Sequence, residues 1–390
     1  MEIDEAYKGR EHSLIKHELL KGYLEKLLSI IGVSGGSREI VYVDCFAGPW
    51  GTDSESLAGT SIAISLDIIS HVREMLANKH GMTGVRFKAI YVEKSKRSHK
   101  RLTTYLSGNC PDGITCHALQ GDYADLQDEI LQLCGDNSFA FFFVDPKGWT
   151  DVSVNKLSKL LRRPRSEFLI NFMYDFLNRA IGMPDFRHQV QKSLGELTEG
   201  DLQRLSAMSA KDRGEAVVRM YREQLKADMG PDGNYPARSY HAEILNKDKE
   251  RTHYHLVYLT RHHKGIVKFA ESSQDADFIQ RVVRIQTRQN AKEQMPLFSA
   301  EDEAESQDSS KASIDDVKAY WLNQLSGEPV RFDEARLADM LEETGWLIRD
   351  FEVAMADLIS ELKVENLDAA GKRTKHPVHF DKGERLRRCV

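Results

Sequence analysis

The segment that most constrains the fold is residues 41–51, where an apolar run ends at Asp44 and breaks into a turn of small residues. In a doubly wound α/β sheet the first strand ends at the ligand crevice, and small residues let backbone amides approach a ligand closely. A dinucleotide site carries three spaced glycines and an acid about 20 residues later. Here the acid precedes an Ala47-Gly48-x-x-Gly51 pattern. This order better suits S-adenosylmethionine, whose methionine end has no pyrophosphate.

The length and composition indicate a chain of two or three domains without a membrane segment. The chain has 390 residues, more than one hydrophobic core usually organises. It has no apolar run near the roughly 18 residues that a membrane helix needs, and its first residues lack a secretory signal. We expect a cytoplasmic protein. Cysteines 45, 110, 116, 134 and 389 lack zinc-ligand spacing and are expected to be reduced thiols.

The net charge of −6 conceals strong segregation along the chain. Residues 371–390 carry seven lysines and arginines against two acids, whereas residues 299–310 carry five acids and no base. Contact with phosphates depends on such local patches rather than on the net charge.

Strands that alternate with helices predict an α/β, Rossmann-like methyltransferase sheet. An amphipathic helix at 12–31 precedes it. Strands are predicted at 41–43, 87–92, 115–119, 139–144 and 167–174, with helices at 59–75, 94–106 and 126–134. A helical insertion is expected at about 175–230. The strands 240–245 and 253–260 then predict an antiparallel pair of the kind common in methyltransferase sheets, and a helix at 275–294 follows.

These patterns divide the chain into three segments. Residues 1–298 are predicted to form the methyltransferase-like domain, and the acidic, serine-rich residues 299–312 a linker. Residues 313–390 predict a winged-helix-like domain. Its predicted elements are helices at 314–325, 333–343 and 349–362 and a hairpin of 364–367 with 377–380.

Three acids end three successive predicted strands: Asp44, Glu93 and Asp122. The carboxyl ends of parallel strands line one crevice, so we expect these side chains to converge on one ligand. Glu93 would accept hydrogen bonds from the ribose hydroxyls, and Asp122 or a neighbouring amide would bond the adenine edge. Asp44, with Phe46 and Ala47 in the same loop, would lie near the methionine end. A single acid of this kind is more often a solvated loop cap, but three in register favour a shared site.

The candidate catalytic motif is Asp145-Pro146-Lys147-Gly-Trp149, which follows the most apolar strand. Enzymes that methylate the exocyclic amine of adenine place an acid or Asn, a proline pair and an aromatic here. The acid and a carbonyl accept the amine hydrogens, and the aromatic stacks on the base. Lys147 stands in place of the second proline, and the aromatic comes one residue late. The alternative is an Asp-Pro turn with Trp149 in a packing role.

Other polar residues admit two interpretations. Lys16 and His17 could contact a substrate phosphate or the cofactor carboxylate, although a solvated helix face is the commoner explanation. His253 and His255 lie on one face of a strand without further ligands at metal spacing, so we expect no metal.

Two basic segments could follow a nucleic-acid backbone, the helix 94–101 and the tail at Arg385, Arg387 and Arg388. Charge runs are more often solvated faces. The acidic third helix of the small domain favours protein docking, or phosphate contact by 372–375 instead.

The ordered motifs resemble one family. They are His-Ser-Leu-Ile-Lys-His-Glu-Leu-Leu-x-x-Tyr-Leu, Tyr-Val-Asp-Cys-Phe-Ala-Gly-Pro-Trp-Gly, Val-Glu-Lys, Gly-Asp and Phe-Val-Asp-Pro-Lys-Gly-Trp. From about His12 to Thr260 the chain resembles the bacterial three-Cys-motif partner proteins (TcmP), which implies a Rossmann-type methyltransferase and a partner protein with a three-cysteine motif. The helix, loop and Asp-Pro motif are more distantly similar to adenine-specific ribosomal RNA methyltransferases.

The predicted function is therefore an S-adenosylmethionine-dependent methyltransferase that acts on nucleic acid, with an adenine amine as one candidate target. The alternative is a methyltransferase-fold subunit without chemistry, which binds a partner protein or nucleic acid through its winged helix.

Overall fold

The computed structural model describes residues 7, 11–35, 38–48, 59–181, 183–194, 197–290, 298–307, 310–371, 373 and 375–389. Its main sheet is made of β1 (Glu39–Asp44), β2 (Arg86–Glu93), β3 (Ile114–Gln120), β4 (Phe139–Val144), β5 (Ser166–Phe172), β6 (Arg238–Leu245) and β7 (Thr252–Thr260).

The strand order of this sheet is β3-β2-β1-β4-β5-β7-β6. The first five strands run parallel, and β7 is antiparallel to both β5 and β6. The order reverses between β1 and β4, which is the topological switch point where open α/β sheets bind their ligands. The predicted Rossmann-like methyltransferase sheet with its antiparallel pair is confirmed.

Helices cover both faces of the sheet because neighbouring residues of each strand point to opposite sides. Ile40 and Tyr42 face one apolar cluster, and Val41 and Val43 face the other. The first face carries α1 (Glu11–Ser34), α2 (Ser61–His80), α3 (Lys96–Asn109) and α10 (His263–Asn290). The second carries α4 (Gln127–Cys134), α5 (Val154–Leu161), α6 (Tyr174–Ile181), α7 (Arg187–Ser193), α8 (Glu199–Ala207) and α9 (Ala210–Met229).

The predicted helical insertion is confirmed as α6 to α9, which extend the second apolar face. The helix predicted at 275–294 begins twelve residues earlier, at His263. Its first turns contain Gly265 and several polar residues, which obscured the helical pattern. They are helical because Ile266, Phe269 and Ala270 are buried against the sheet and α1.

The prediction of an unstructured acidic linker is wrong over Ala300–Ser306, which forms α11. The Ser299 side chain caps this helix by accepting from the Asp302 amide. Ala300 and Ala304 are buried in a cluster with residues of α10. Two small apolar residues four positions apart give a weak sequence signal, but they suffice when a neighbouring helix supplies the partner surface.

The C-terminal region is a winged helix. It contains α12 (Ile314–Gln324), α13 (Glu334–Thr344) and α14 (Ile348–Ser360), with a sheet ordered β8-β10-β9. Its strands are β8 (Val330–Phe332), β9 (Val364–Asn366) and β10 (Glu384–Arg388).

The strand predicted at 377–380 is wrong, because β10 pairs with β9 instead. Val378 and Phe380 are buried without joining the sheet. The segment Glu384–Arg388, which the charge pattern predicts to be a basic tail, is β10. It is a strand because Leu386 is buried and Glu384 bonds Asn366 and Arg373.

The winged helix is docked on edge strand β6 and on α10. The Glu342 carboxylate of α13 accepts from the Ser239 amide at 2.7 Å and from Arg238 Nη1 at 2.8 Å. The Tyr240 hydroxyl donates to the Trp346 carbonyl at 2.7 Å. Arg349, at the start of α14, pairs with Asp277 of α10 at 2.8 Å. The bond to the Ser239 amide occupies a backbone donor of the edge strand, which would otherwise be open to pairing with another chain.

The prediction of reduced cysteines is wrong for one pair, since Cys110 and Cys116 form a disulfide. The turn at Gly113 brings the start of β3 back beside the end of α3, and the two Cα atoms lie 6.2 Å apart, within disulfide range. Cys45, Cys134 and Cys389 are free thiols. None of the described helices is long and apolar enough to span a bilayer.

Glu342→Ala is expected to loosen the docked winged helix. The substitution leaves the Ser239 amide without its acceptor and removes one of the two carboxylates that pair with Arg238, at a cost of about 2 kcal/mol. Hydrogen–deuterium exchange should become faster at residues 238–242 and along α13. Glu343→Ala is the matched control, because Glu343 bonds Tyr320 inside the winged helix and does not touch β6. Equal exchange in both variants at 238–242 would contradict the docking.

Candidate functional site

The predicted site residues meet at the carboxyl edge of the sheet, on both sides of the switch point. Asp44 lies level with Tyr91 of β2 and Phe143 of β4. Glu93 and Asp145 therefore lie two residues further along the flanking strands. The Ala47 amide donates to the Val92 carbonyl at 2.8 Å, which holds the loop after β1 against the end of β2.

Asp44 is fully buried and organises the loop that follows it. Its Oδ1 accepts from the Phe46 amide at 3.0 Å, and its Oδ2 accepts from the Ser61 hydroxyl at the start of α2 at 2.6 Å. Burial raises the pKa of Asp44 from its ordinary 3.8 to about 6, against the effect of these two donors. Asp44 thus joins the loop to the helix that follows it.

Glu93 provides an acceptor suited to a sugar diol. It is buried at the end of β2, and its Oε1 accepts from the Ser95 amide at 2.6 Å. Its Oε2 has no hydrogen bond to the rest of the described chain. An ionised carboxylate has about four lone-pair sites, so Glu93 can also accept from ribose hydroxyls. This residue fits the adenosine half of S-adenosylmethionine.

Asp122 lies next along the edge, beyond β3. Its oxygens accept from Lys94 Nζ at 2.9 Å and from the Ala124 amide at 3.0 Å. Partial burial by itself would raise the pKa of Asp122, but Lys94 and the amide outweigh it and hold that pKa below its usual value. The preceding Gly121, with φ of 152°, donates to the Glu93 carbonyl at 3.1 Å and joins the two strand ends.

Two aromatic rings, those of Phe46 and Tyr123, and a tight turn of small residues lie between these acids. Phe46 is half-buried, and its ring centroid lies 5.1 Å from that of Tyr123. A flat purine would find an apolar surface there. The Gly48 amide donates to the Phe46 carbonyl at 2.8 Å, which closes a tight turn. Gly51 lies outside the described residues.

Asp145 forms an ion pair with Lys16 of α1 across the crevice. The Asn171 amide also donates to Asp145 Oδ1 at 2.7 Å. Burial by itself would raise the pKa of Asp145, but Lys16 and Asn171 outweigh it and hold that pKa below its usual value. Asp145 is therefore ionised at neutral pH and serves better as a hydrogen-bond acceptor than as a proton donor.

Asn171 is a polar residue of the site that sequence reasoning missed. Val144 pairs with Ile170, so Asp145 and Asn171 follow side by side on neighbouring strands. The Asn171 Oδ1 is buried and has no hydrogen-bond partner in the described chain. Reversing the amide would place this oxygen against the Asp145 carboxylate, so the orientation is set by repulsion. An Asn inside the apolar run of β5 was the available signal.

The remaining motif residues have different surroundings. Pro146 is buried and Lys147 is exposed. Trp149 begins a short 3-10 turn, Trp149–Val152, and packs partly against the second apolar cluster. These contacts support the packing interpretation of Trp149, and the half-buried ring keeps an accessible part.

The interpretation of Lys16 and His17 as a solvated helix face is wrong, because both side chains are buried. His17 Nδ1 bonds the Tyr7 hydroxyl at 3.0 Å, and the Tyr254 hydroxyl donates to the His12 carbonyl at 2.7 Å. These bonds and the Lys16 ion pair hold the start of α1 across the crevice.

Histidines 253 and 255 lie on β7 beside the site. Within the described ranges, no group of three or more His, Cys, Asp and Glu side chains is arranged to hold a metal ion.

A basic surface adjoins the crevice. Helix α3 starts directly after Ser95, which bonds Glu93, and its Lys96, Arg97 and Lys100 side chains are exposed. Within the described chain these three cations have no acidic partner. In the winged helix, by contrast, Arg385 and Arg387 pair with acids at 2.7 Å.

Comparison with known proteins matched the small domain to a family model. Residues 285–371 match the GMT-like wHTH domain. This range includes α12 to α14, which form the winged helix of the structure. A search of curated proteins found no match.

Several solved methyltransferases are similar to the larger part of the chain. The O-methyltransferase from Bacillus cereus in complex with SAH is 12% identical, with a TM-score of 0.30, over 61% of this chain and 80% of that chain. TomG from Streptomyces achromogenes in complex with SAM is 13% identical, with a TM-score of 0.31, over 67% and 92%. These TM-scores are too low to support an argument. The fold is established by the strand order of the sheet instead.

Lys16→Met is expected to lower the free energy of unfolding by about 3 kcal/mol at pH 7, because it leaves the largely buried Asp145 carboxylate without its counter-charge. This loss of stability should shrink as the pH falls, since the unpaired Asp145 can then take up a proton. Urea unfolding at several pH values measures the loss and its pH dependence. Lys16→Met with Asp145→Asn should recover most of the loss. Lys21→Met, which removes a more exposed cation from the same helix, should cost under about 0.5 kcal/mol. Similar losses for the two lysines would contradict the account.

Asp44→Asn is expected to change how stability depends on pH. The pKa of Asp44 is higher in the folded protein than in the unfolded chain, so its contribution to stability is greatest below about pH 4 and is lost as the pH rises past 6. Between pH 4 and pH 7 the free energy of unfolding of the native chain should fall, relative to that of the variant, by up to about 3 kcal/mol. Denaturant unfolding of both proteins at several pH values measures this. If the difference in unfolding free energy between the two proteins stays constant with pH, Asp44 does not titrate as a buried carboxyl.

Proposed function

We propose that this chain is an S-adenosylmethionine-dependent methyltransferase that modifies an amine of a nucleic acid. The observation that carries the proposal is the placement of acceptors at the switch point of a methyltransferase fold. Glu93 ends β2, and the pair of Asp145 and Asn171 lies at the ends of β4 and β5. Ligands of doubly wound sheets bind in this crevice.

In the proposed complex Glu93 accepts from the ribose hydroxyls, and Phe46 contacts the adenine. Asp122 orders the neighbouring strand end beside the purine. The loop of Ala47 and Gly48, shaped by Asp44, borders the methionine end. Bound S-adenosylmethionine supplies an electrophilic methyl group on a sulfonium.

Asp145 and Asn171 are proposed to position the acceptor amine. The Asp145 carboxylate, kept ionised by Lys16, accepts one amine hydrogen, and the unpartnered Oδ1 of Asn171 accepts the other. These two acceptors direct the nitrogen lone pair to the methyl group and stabilise the positive charge that develops on nitrogen. The methyl–sulfur bond would break as the nitrogen–carbon bond forms, leaving S-adenosylhomocysteine, and the methylated nitrogen would then release one proton to solvent. The Pro146 carbonyl and the accessible part of Trp149 border the base, and the exposed Lys147 lies at its approach. His17, buried and bonded to Tyr7, steadies the segment of α1 that carries Lys16.

Nucleic acid is the proposed substrate because of the basic surface beside the crevice. Lys96, Arg97 and Lys100 are exposed within one helical segment that begins at the cofactor site, and such cations contact phosphates. The winged helix supplies a second contact region. Helix α14 carries three acids and one arginine, Arg349, which is paired with Asp277, so it suits a protein better than DNA. We therefore propose that it docks a partner, for which a protein with a three-cysteine motif is the candidate in a bacterial cytoplasm.

A second function is favoured by the ion pair of Lys16 with Asp145. This pair already occupies the carboxylate that would bind the amine. In that case the chain is a methyltransferase-fold subunit without chemistry, which binds its partner through the winged helix.

Calorimetric titration with S-adenosylhomocysteine and a transfer assay separate the two functions. We expect one bound ligand per chain, with at least tenfold weaker binding in Glu93→Gln, because the neutral amide loses charge-assisted bonds to the ribose. Tritiated S-adenosylmethionine should label nucleic acid from a lysate. Asn171→Ala should reduce labelling while binding the homocysteine ligand normally. Arg219→Ala, an exposed change on α9, is the control. Absence of binding heat would contradict the methyltransferase proposal, and label that enters only protein would contradict the nucleic-acid substrate.

A further inference from the structure

A second cavity of about 960 Å³ lies at the opposite edge of the sheet, at the amino ends of β4 and β5. Its walls come from the C-terminal half of α1, the first turns of α10 and the turn at 232–235. Its size lies within the range of small-molecule sites. Because it opens on the other edge of the sheet, it is separate from the crevice at Glu93 and Asp145.

The floor of the cavity is polar and ordered. The buried Glu167 carboxylate accepts from the hydroxyls of Tyr23 at 2.7 Å, Tyr258 at 2.8 Å and Thr260 at 2.8 Å. Three donors fix its position and leave about one lone-pair site for a ligand. Leu27 and Phe139 supply the apolar part of the lining.

The rim carries a guanidinium held by an unusual backbone. Arg165 has φ of 49°, a left-handed conformation that non-glycine residues rarely adopt, and its amide donates to Asp232 at 3.3 Å. Its side chain is exposed and has no acidic partner within the described chain. Residues in such conformations cluster at ligand clamps. Lys264, whose Nζ lies 4.0 Å from a Glu334 oxygen, and Lys268, which pairs with Glu271 at 2.7 Å, also line the cavity.

An aromatic platform belongs to the same lining. Tyr235 is 52% exposed, and its ring stacks on His262 with 5.4 Å between centroids and 28° between planes. Reciprocal backbone bonds between Asp232 and Tyr235, at 2.9 and 3.1 Å, hold the turn that presents this ring. The stack leaves a face of Tyr235 open to a further flat group.

We infer that this cavity binds a nucleoside 5′-phosphate, with the base stacked on Tyr235 and the phosphate held by Arg165 and Lys264. A flat ring and an anion are the two features that this lining selects together. Inorganic phosphate would not use the tyrosine, and an apolar chain would not use the cations. The remaining lone-pair site of Glu167 can accept from a sugar hydroxyl or a base N–H. This site is independent of the proposed transferase chemistry.

The test is calorimetric titration of the full chain with AMP, GMP, CMP, UMP and inorganic phosphate, each with S-adenosylhomocysteine present. We expect at least one nucleotide to bind one-to-one and more tightly than phosphate. Arg165→Ala and Tyr235→Ala should each weaken it about tenfold or more, since base stacking and a charge-assisted phosphate bond each contribute at least that much. Both residues are exposed, so the fold is retained.

Arg219→Ala and Glu93→Gln serve as controls and should bind the nucleotide as the native chain does. Weakening by Glu93→Gln with none by Arg165→Ala would place the nucleotide in the crevice and overturn the inference. Heat from none of the four nucleotides would also overturn it, as would phosphate binding as tightly as the best nucleotide with Tyr235→Ala unaffected. Because Glu93→Gln reports the crevice and Arg165→Ala the cavity, failure of this inference and failure of the transferase proposal give different results.

Discussion

The ion pair between Lys16 and Asp145 is the interaction on which the arrangement of the crevice depends. It joins the helix that precedes the first strand to the residue that follows β4, so α1 crosses the open edge of the sheet. It also supplies the positive charge that allows a buried carboxylate to remain ionised. Asn171 holds the other carboxylate oxygen and is itself left with a free acceptor. The contacts among Lys16, Asp145 and Asn171 therefore hold α1 in place, keep the carboxylate ionised and form the proposed amine site.

Most of the sheet could be predicted from the chain because its strands are unusually clear. The run Phe139–Val144 is entirely apolar and was located to the residue, and the acids that end the strands fixed the carboxyl edge. Elements that depend on a neighbour were harder to predict. The helix Ala300–Ser306 is stabilised through two alanines against α10. The strand Glu384–Arg388 is mostly charged, and it exists because β8 and β9 pair with both of its sides.

Some residues of the candidate site could be predicted from local sequence, and others depend on how distant segments pack. Strand ends are local features, so Asp44, Glu93 and Asp145 could be named from sequence, as could Lys16. The pairing of Lys16 with Asp145 spans 129 residues and follows only from how α1 packs. Asn171 becomes a neighbour of Asp145 through the register of β4 and β5, which no local pattern specifies.

The central claim is that an adenosine-containing methyl donor binds at the carboxyl edge beside the switch point. Hydrogen–deuterium exchange of the full chain, with and without S-adenosylhomocysteine, tests it most directly. We expect slower exchange at residues 44–48, 93–95 and 121–124, with no change at 232–235 on the opposite edge. Unchanged exchange at the first three segments under saturating ligand, or slower exchange only at 232–235, would contradict the account.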